Sequence, residues 1–254
     1  LVFSLEMPSD SIVMRMLSSL GRIDQTKVRS GKLDDDDWPR LTSAVNLLNE
    51  RKLFIDDTAG ISPSEMRART RRVAREHGEI ALIMVDYLQL MQIPGSSGDS
   101  RVNEISEISR SLKGLAKEFN CPVIALSQLN RGLEQRPNKR PINSDLRESG
   151  AIEQDADMVC FIHRPEYYKI TEDERGNSLI GLAEIIIAKH RNGAVGDVRL
   201  RFKSEFAKFM NVDEDVPVRE FSSNMNSSGP METMPPIPPA GTDFLAPGNN
   251  EVPF

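Results

Sequence analysis

Scarcity narrows the class of this 254-residue chain before any motif is considered. Only two cysteines occur, Cys121 and Cys160, both inside apolar runs ("NCPVIALS" and "DMVCFIHR"). They lack metal-ligand spacing and read as reduced core residues of a cytosolic protein. The three histidines are scattered, which argues against a His/Cys metal centre. No stretch approaches the roughly 18 uninterrupted apolar residues of a membrane helix. No charged, apolar, small-residue leader opens the chain, so neither a membrane span nor a secretion signal is expected. A surplus of basic residues is also missing: the net charge of −6 excludes a surface coated with positive charge. It leaves room for a local basic loop that meets nucleic acid.

Lys and Arg vanish altogether after Arg219, where Pro, Ser, Asn, Met and Gly take over. Such a segment cannot bury enough apolar surface to offset its ordering entropy, so residues 218–254 are expected to be disordered and 1–217 to fold. The folded part is long enough for one full-sized core.

Within it, strands and helices alternate. "LVFSLE" is an apolar strand, and "PSDSIVMRMLSSLG" a helix with Ser9 near its N-cap, Ile12, Met16 and Leu20 on one face, and Gly21 as its stop. "DDDDWPRLTSAVNLLNER" starts with acids where the helix dipole favours them. After the short strand "KLFIDD", a capping box runs from Ser62 to Glu65, with Pro63 at the first helical position and Gly78 closing the helix. The arginines of that helix spread around it, which suits a solvated face or a subunit contact better than a nucleic-acid stripe.

"EIALIMVDYLQLM" is the continuous apolar pattern of a strand covered on both faces. "RVNEISEISRSLKGLAKEFN" is amphipathic, with Val102, Ile105, Ile108, Leu112, Leu115 and Phe119 inward. "CPVIALSQ", "ADMVCFIHR", "LAEIIIAKH" and "DVRLRFK" are further strands, the last two a hairpin across "RNGAVG". The expectation is an α/β fold: a mostly parallel twisted sheet with flanking helices and a late antiparallel extension.

Open parallel sheets bind ligands beyond the carboxyl ends of their strands. Three strands end there on a polar residue: Glu6, Asp86 and Gln128. A carboxylate closing an apolar strand is the usual acidic element that holds Mg²⁺ in nucleotide-hydrolysing α/β proteins, mostly through water. A second carboxylate on a neighbouring strand can polarise the attacking water, and a glutamine can sense the γ-phosphate. The plain alternative is that strands simply end in polar residues.

Beyond Gln128, "LNRGLEQRPNKRPINSDLRESGAIEQDAD" packs Arg131, Arg136, Lys139, Arg140 and Arg147 into a long loop without an aromatic residue. Base stacking is therefore excluded as its method, and phosphate tracking without sequence preference suits it. In "IIAKHRNGAVGDVRL", Lys189 and Arg191 alternate near a strand end. They read equally as an edge-strand charge guard or as cations offered to a phosphate in another subunit.

The stretches "FSLEM", "LIMVDYLQLM", "ALSQLNRGLEQRPNKRPINSDLRESGAIEQDADMVCFIHR" and "IIIAKHRNGAVGDVRLRF" together resemble the C-terminal motor domain of the bacterial replicative DNA helicase, the DnaB-type RecA-like hexamer. The likeness runs from Leu1 to about Val212. It implies that Glu6 activates water, that Asp86 is the acid on Mg²⁺, and that Gln128 is a sensor between γ-phosphate and DNA. It implies that Arg147, Glu148 and Gly150 grip single-stranded DNA, and that Lys189 and Arg191 act in trans on the neighbour's ATP. A homo-hexamer working in the cytoplasm with primase and a helicase loader follows from the same resemblance.

In that family a phosphate-binding G-x-x-x-x-G-K-[ST] precedes the strand that ends in Glu. No such stretch occurs in this sequence, so the resemblance implies a motor lacking its phosphate cradle. Two other readings stay open: a RecA-like recombinase or other ring ATPase, and a non-catalytic remnant that keeps only ring or DNA contacts.

Overall fold

The apolar opening forms strand β1 (Val2–Ser4), and later apolar runs form β2 (Ile55–Asp56), β3 (Ile83–Asp86) and β4 (Val123–Ala125). In the computed structural model, which describes residues 1–94, 101–146 and 150–212, these four strands run parallel in the order β2-β1-β3-β4. Parallel neighbours need crossovers, and helices supply them. Helices α1 (Ser9–Gly21), α2 (Gln25–Ser30) and α3 (Asp37–Asn49) join β1 to β2. Helix α4 (Pro63–His77) joins β2 to β3, and α5 (Arg101–Phe119) joins β3 to β4. Every carboxyl end therefore lies along one edge, and the register sets Ser4 beside Asp86 there.

The core is the layer between this sheet and α5. Phe3, Ile83 and Val85 pack with Met66, Ile105, Ile108, Leu112 and Leu115, all buried. Each such side chain stabilises the fold by about 1.5–3 kcal/mol relative to exposure. Val102, expected inward, is 51% exposed because it lies in the first turn of α5, ahead of the first core contact at Ile105.

Two details of α1 depart from expectation. Its N-cap is Pro8, without a side-chain cap, and Ser9 lies inside the helix. Leu20 is exposed, while Ser18 and Gly21 form the buried side that meets α3. Gly21 suits a close approach: a Cβ there would lie 3.0 Å from the Ile23 side chain and 3.4 Å from the Arg40 carbonyl, so a larger residue would need Ile23 to shift. The left-handed residue that ends the helix is Arg22. In α4 half of the capping box forms, since the Ser62 hydroxyl accepts the Glu65 N–H at 3.2 Å. The Glu65 carboxylate turns instead to Arg69. Gly78 ends that helix at φ +91, a conformation that favours glycine.

Helix α6 (Gly150–Asp155) leads to β5 (Met158–His163), followed by β6 (Leu182–His190), β7 (Gly196–Lys203) and β8 (Lys208–Asn211). These four strands make an antiparallel sheet in sequence order, with β6 and β7 as the expected hairpin. Among the described residues no strand pairing joins the two sheets, so the antiparallel part stands as a sheet of its own. Along β5, Val159, Phe161 and His163 point inward, whereas Met158, Cys160 and Ile162 face out. Cys121 is in the core as expected, but strand alternation puts Cys160 on the exposed face. The expectation of disorder over 218–254 lies outside the described residues.

Candidate functional site

At the tip of β1, the fully buried Ser4 donates its hydroxyl to the Met7 carbonyl at 2.7 Å and accepts the Met7 N–H at 3.3 Å. Leu5 continues the ladder by donating its N–H to the Asp86 carbonyl at 2.7 Å. Between these two anchors the chain turns Glu6 outward, exposed, beside the end of β3. Asp86 is half-buried there. Burial and, next, the neighbouring Glu6 charge push its carboxyl above the usual carboxylate range, against an opposing pull from Arg15 on α1.

Two hard oxygen donors that repel each other, one partly desolvated, suit a divalent cation whose charge would relieve that repulsion. Among the described residues no group of three or more His, Cys, Asp or Glu side chains could hold a metal. The donor set therefore fits a largely hydrated Mg²⁺ touched by one or two carboxylates, and not a fully protein-ligated ion.

Gln128 joins the same edge through its backbone. Beyond β4, the Leu126 N–H donates to the Val85 carbonyl at 2.9 Å, and the Leu88 N–H donates to the Leu126 carbonyl at 3.0 Å. Gln89, in the 3-10 turn Leu88–Leu90, then grips the next residues. Its Nε2 donates to Ser127 Oγ at 2.9 Å and to the Gln128 carbonyl at 3.3 Å, and its Oε1 accepts the Gln128 N–H at 3.2 Å. Arg101 of α5 donates in turn to the Gln89 carbonyl. The Gln128 side chain stays exposed above this clamp, linked by way of Gln89 to the turn that follows Asp86. The three strand tips thus converge, as their positions in the sequence predict.

The basic loop is revised by the structure. Arg136 pairs with the buried Asp145, whose Oδ2 also accepts the Ile142 N–H at 2.8 Å. Arg140 reaches across to β6 and β7, with Glu184 at 3.3 Å and Asp197 at 2.6 Å. Lys139 lies over the Tyr168 ring, 5.7 Å from its centroid. Arg140 thus ties the loop to the antiparallel sheet, Arg136 braces the loop internally, and the charges of both are answered within the chain. Arg131 stays exposed. Arg147 and Glu148 lie outside the described residues. Gly150 is exposed at the start of α6, where an added Cβ would meet nothing described within 4 Å.

Lys189 and Arg191 stand apart from the Glu6–Asp86 pair, on β6 and just beyond its end. The Lys189 ammonium donates to the carbonyls of Glu153 and, at 3.4 Å, Gln154. Arg191 lies 3.2 Å from the Asp157 carboxylate, which Lys113 of α5 also contacts. Lys113 first, then Arg191 and Lys189, hold that carboxyl below its usual range.

Sequence reasoning missed Ser4, Gln89, Asp145 and Asp157. Ser4 and Gln89 did carry a signal, Ser4 as a polar residue at the tip of an apolar strand and Gln89 as one between leucines just past Asp86. Asp145 and Asp157 look like any other acid in a charged loop, and only their partners distinguish them.

Residues 1–211 match the family model described as DnaB-like helicase C terminal domain. The replicative DNA helicase DnaB of Pasteurella multocida (strain Pm70) is 56% identical over 222 residues, covering 87% of this chain and 46% of that protein. Two solved structures share the fold at TM-score 0.76, each covering 84% of this chain. One is an ATPase domain, at 40% identity and 74% coverage of that chain. The other is a DnaB-like replicative helicase, solved to show its interactions with primase, at 41% identity and 51% coverage of that chain. The chain spans a little under half the length of the replicative helicase it matches.

Proposed function

The chain belongs to the DnaB-like helicase C-terminal domain family, and on that premise we propose that it is the motor of an ATP-dependent replicative DNA helicase, a ring that moves on single-stranded DNA and unwinds the duplex. The observation that carries this reading is the strand-tip constellation: Glu6 and the partly desolvated Asp86 side by side, with Gln128 clamped next to them by Gln89.

Glu6, exposed and unobstructed, accepts the proton of the attacking water. Asp86 and its hydration shell would hold Mg²⁺, which supplies charge neutralisation at the ATP phosphates. Gln128 hydrogen-bonds the γ-phosphate and passes its loss to the loop that follows. Lys189 and Arg191 serve the ATP of the neighbouring subunit in a homo-hexamer, as trans-acting cations do in this class of reaction. Arg147, Glu148 and Gly150 hold the DNA backbone. With Arg136 and Arg140 answered inside the chain, each subunit offers few cations to the strand. Six subunits on one strand compensate through multivalency, which is compatible with the acidic total charge. Primase and a helicase loader are the expected protein partners, in the cytoplasm. Among the described residues no helix is long and apolar enough to cross a membrane.

The test uses the complete gene product, since the phosphate-binding G-x-x-x-x-G-K-[ST] is not among these 254 residues. Strand displacement that needs ATP and Mg²⁺, and that Glu6→Gln abolishes while single-stranded DNA binding persists, supports the helicase. Strand exchange without displacement would favour a recombinase. DNA binding without nucleotide turnover would favour a non-catalytic remnant.

A further inference from the structure

The two cations assigned to a neighbour's nucleotide are each fastened to the segment that follows the DNA loop. Lys189 donates to the last carbonyls of α6, at Glu153 and Gln154. Arg191 is held twice by Asp157, which lies just past that helix: its backbone N–H donates to the Asp157 carbonyl at 2.8 Å, and its Nη1 lies 3.2 Å from the carboxylate. The same carboxylate takes Lys113 from α5. On the loop side of α6, Asn143 of the basic loop donates to Glu153 Oε1 at 2.9 Å. Asn143 sits in the 3-10 turn that Asp145 and Arg136 secure. An unbroken series of contacts therefore leads from the loop through Glu153 and α6 to Lys189, and through Asp157 to Arg191.

The turn beyond Arg191 packs against His190. A Cβ on Gly193 would collide with Nδ1 of His190, so the imidazole rests directly on that glycine. The Arg191 side chain is half exposed, and Asp157 engages only one nitrogen of its guanidinium. Among the described residues no other partner meets the guanidinium, so its remaining N–H donors can face an anion outside the chain.

We propose that Asp157 is a positioning residue which yokes α6 to the Lys189–Arg191 strand end, so that displacement of the DNA loop moves both trans-acting cations as one body. This rests on the helicase reading and adds a route by which DNA contact sets the rate of ATP turnover in the next subunit. Lys113 makes α5 the support against which the yoke turns. Both members of the Asp157–Arg191 pair are more than half exposed, so the pair contributes little to folding. Its loss should be read in coupling and not in unfolding.

The experiment compares the complete gene product with Asp157→Ala, Asp157→Glu and Asn143→Ala, the last cutting the loop from α6 without touching Arg191. ATP turnover is measured with and without oligo-dT, and oligo-dT affinity by fluorescence anisotropy. Asp157→Ala and Asn143→Ala should each lower the DNA-stimulated rate by about tenfold. The DNA-free rate and the affinity should stay within about twofold. Asp157→Glu should restore most of the stimulation. An unchanged ratio of stimulated to basal turnover in Asp157→Ala overturns the proposal. So does an equal fall in both rates with unchanged circular dichroism, which would place Asp157 in the nucleotide site alone. Wild-type protein that never hydrolyses ATP overturns the helicase reading itself, an outcome distinct from both.

Discussion

Ser4→Ala tests whether the turn that presents Glu6 is built by one buried hydroxyl. Ser4 is fully buried, and its Oγ donates to the Met7 carbonyl at 2.7 Å while accepting the Met7 N–H at a weaker 3.3 Å. A net hydrogen bond contributes about 1 kcal/mol, and stranding its buried partner costs about 1–3 kcal/mol. Met7 is only partly buried, so water can reach its freed groups and the lower end applies. The expected loss is about 1–2 kcal/mol, or roughly 2–8 °C in Tm for a domain of this size. Turnover should suffer more than stability, because a displacement of about 1 Å at a catalytic group can cost about 100-fold. Urea titration and steady-state ATP turnover of the complete gene product, with Ser4→Thr as the conservative control, give both numbers. Destabilisation of the expected size with unchanged kcat would refute the claim that the turn positions Glu6. Unchanged stability would refute the energetics of the buried hydroxyl.

Asp86→Asn carries a sign that can be worked through. The folded-state pKa of Asp86 is raised by burial and by Glu6, so the folded protein binds a proton where the unfolded chain has released it. Stability linked to this group is present below the unfolded carboxylate range and is lost as pH rises through the folded pKa. Asp86→Asn should therefore be more stable than wild type at about pH 7 in EDTA, with the difference closing near about pH 3 in differential scanning calorimetry. It should also abolish ATP turnover. A variant less stable at neutral pH would contradict the assigned burial and repulsion. Gln89→Ala removes all three contacts of its side chain to Ser127 and Gln128. It should cost about 1–2 kcal/mol in urea denaturation and blunt the response of turnover to DNA. A variant with a normal DNA response would show that Gln128 needs no clamp.

Helix α4 was legible from Ser62, Pro63 and Gly78 because capping is local chemistry, settled within a few residues. The inward face of α5 was legible from its 3.6-residue period, except at Val102, where the pattern runs one turn past the layer it packs on. Glu6, Asp86 and Gln128 could be chosen because a polar residue closing an apolar strand is visible in one dimension. Parallel pairing then brings such ends to one edge. Leu20 and Cys160 were misjudged, since apolar character says that a side chain can be buried but not which face of its element meets a neighbour.

The sequence by itself determined the alternation of strands and helices and the strand-tip residues, because these rest on local propensity, period and spacing, and its long matching stretches carried the resemblance to the family. Tertiary structure alone decided which of the loop's cations remain available. Arg136 and Arg140 find Asp145, Glu184 and Asp197, the last two about 44–57 residues away along the chain. It also decided that Lys189 and Arg191 are bound to α6 and Asp157, more than 30 residues back along the chain. A charge in a sequence has a sign and a position. Whether it is spent on the chain's own carboxylates or offered to a nucleic acid depends on contacts distant in sequence, and those exist only once the chain has folded.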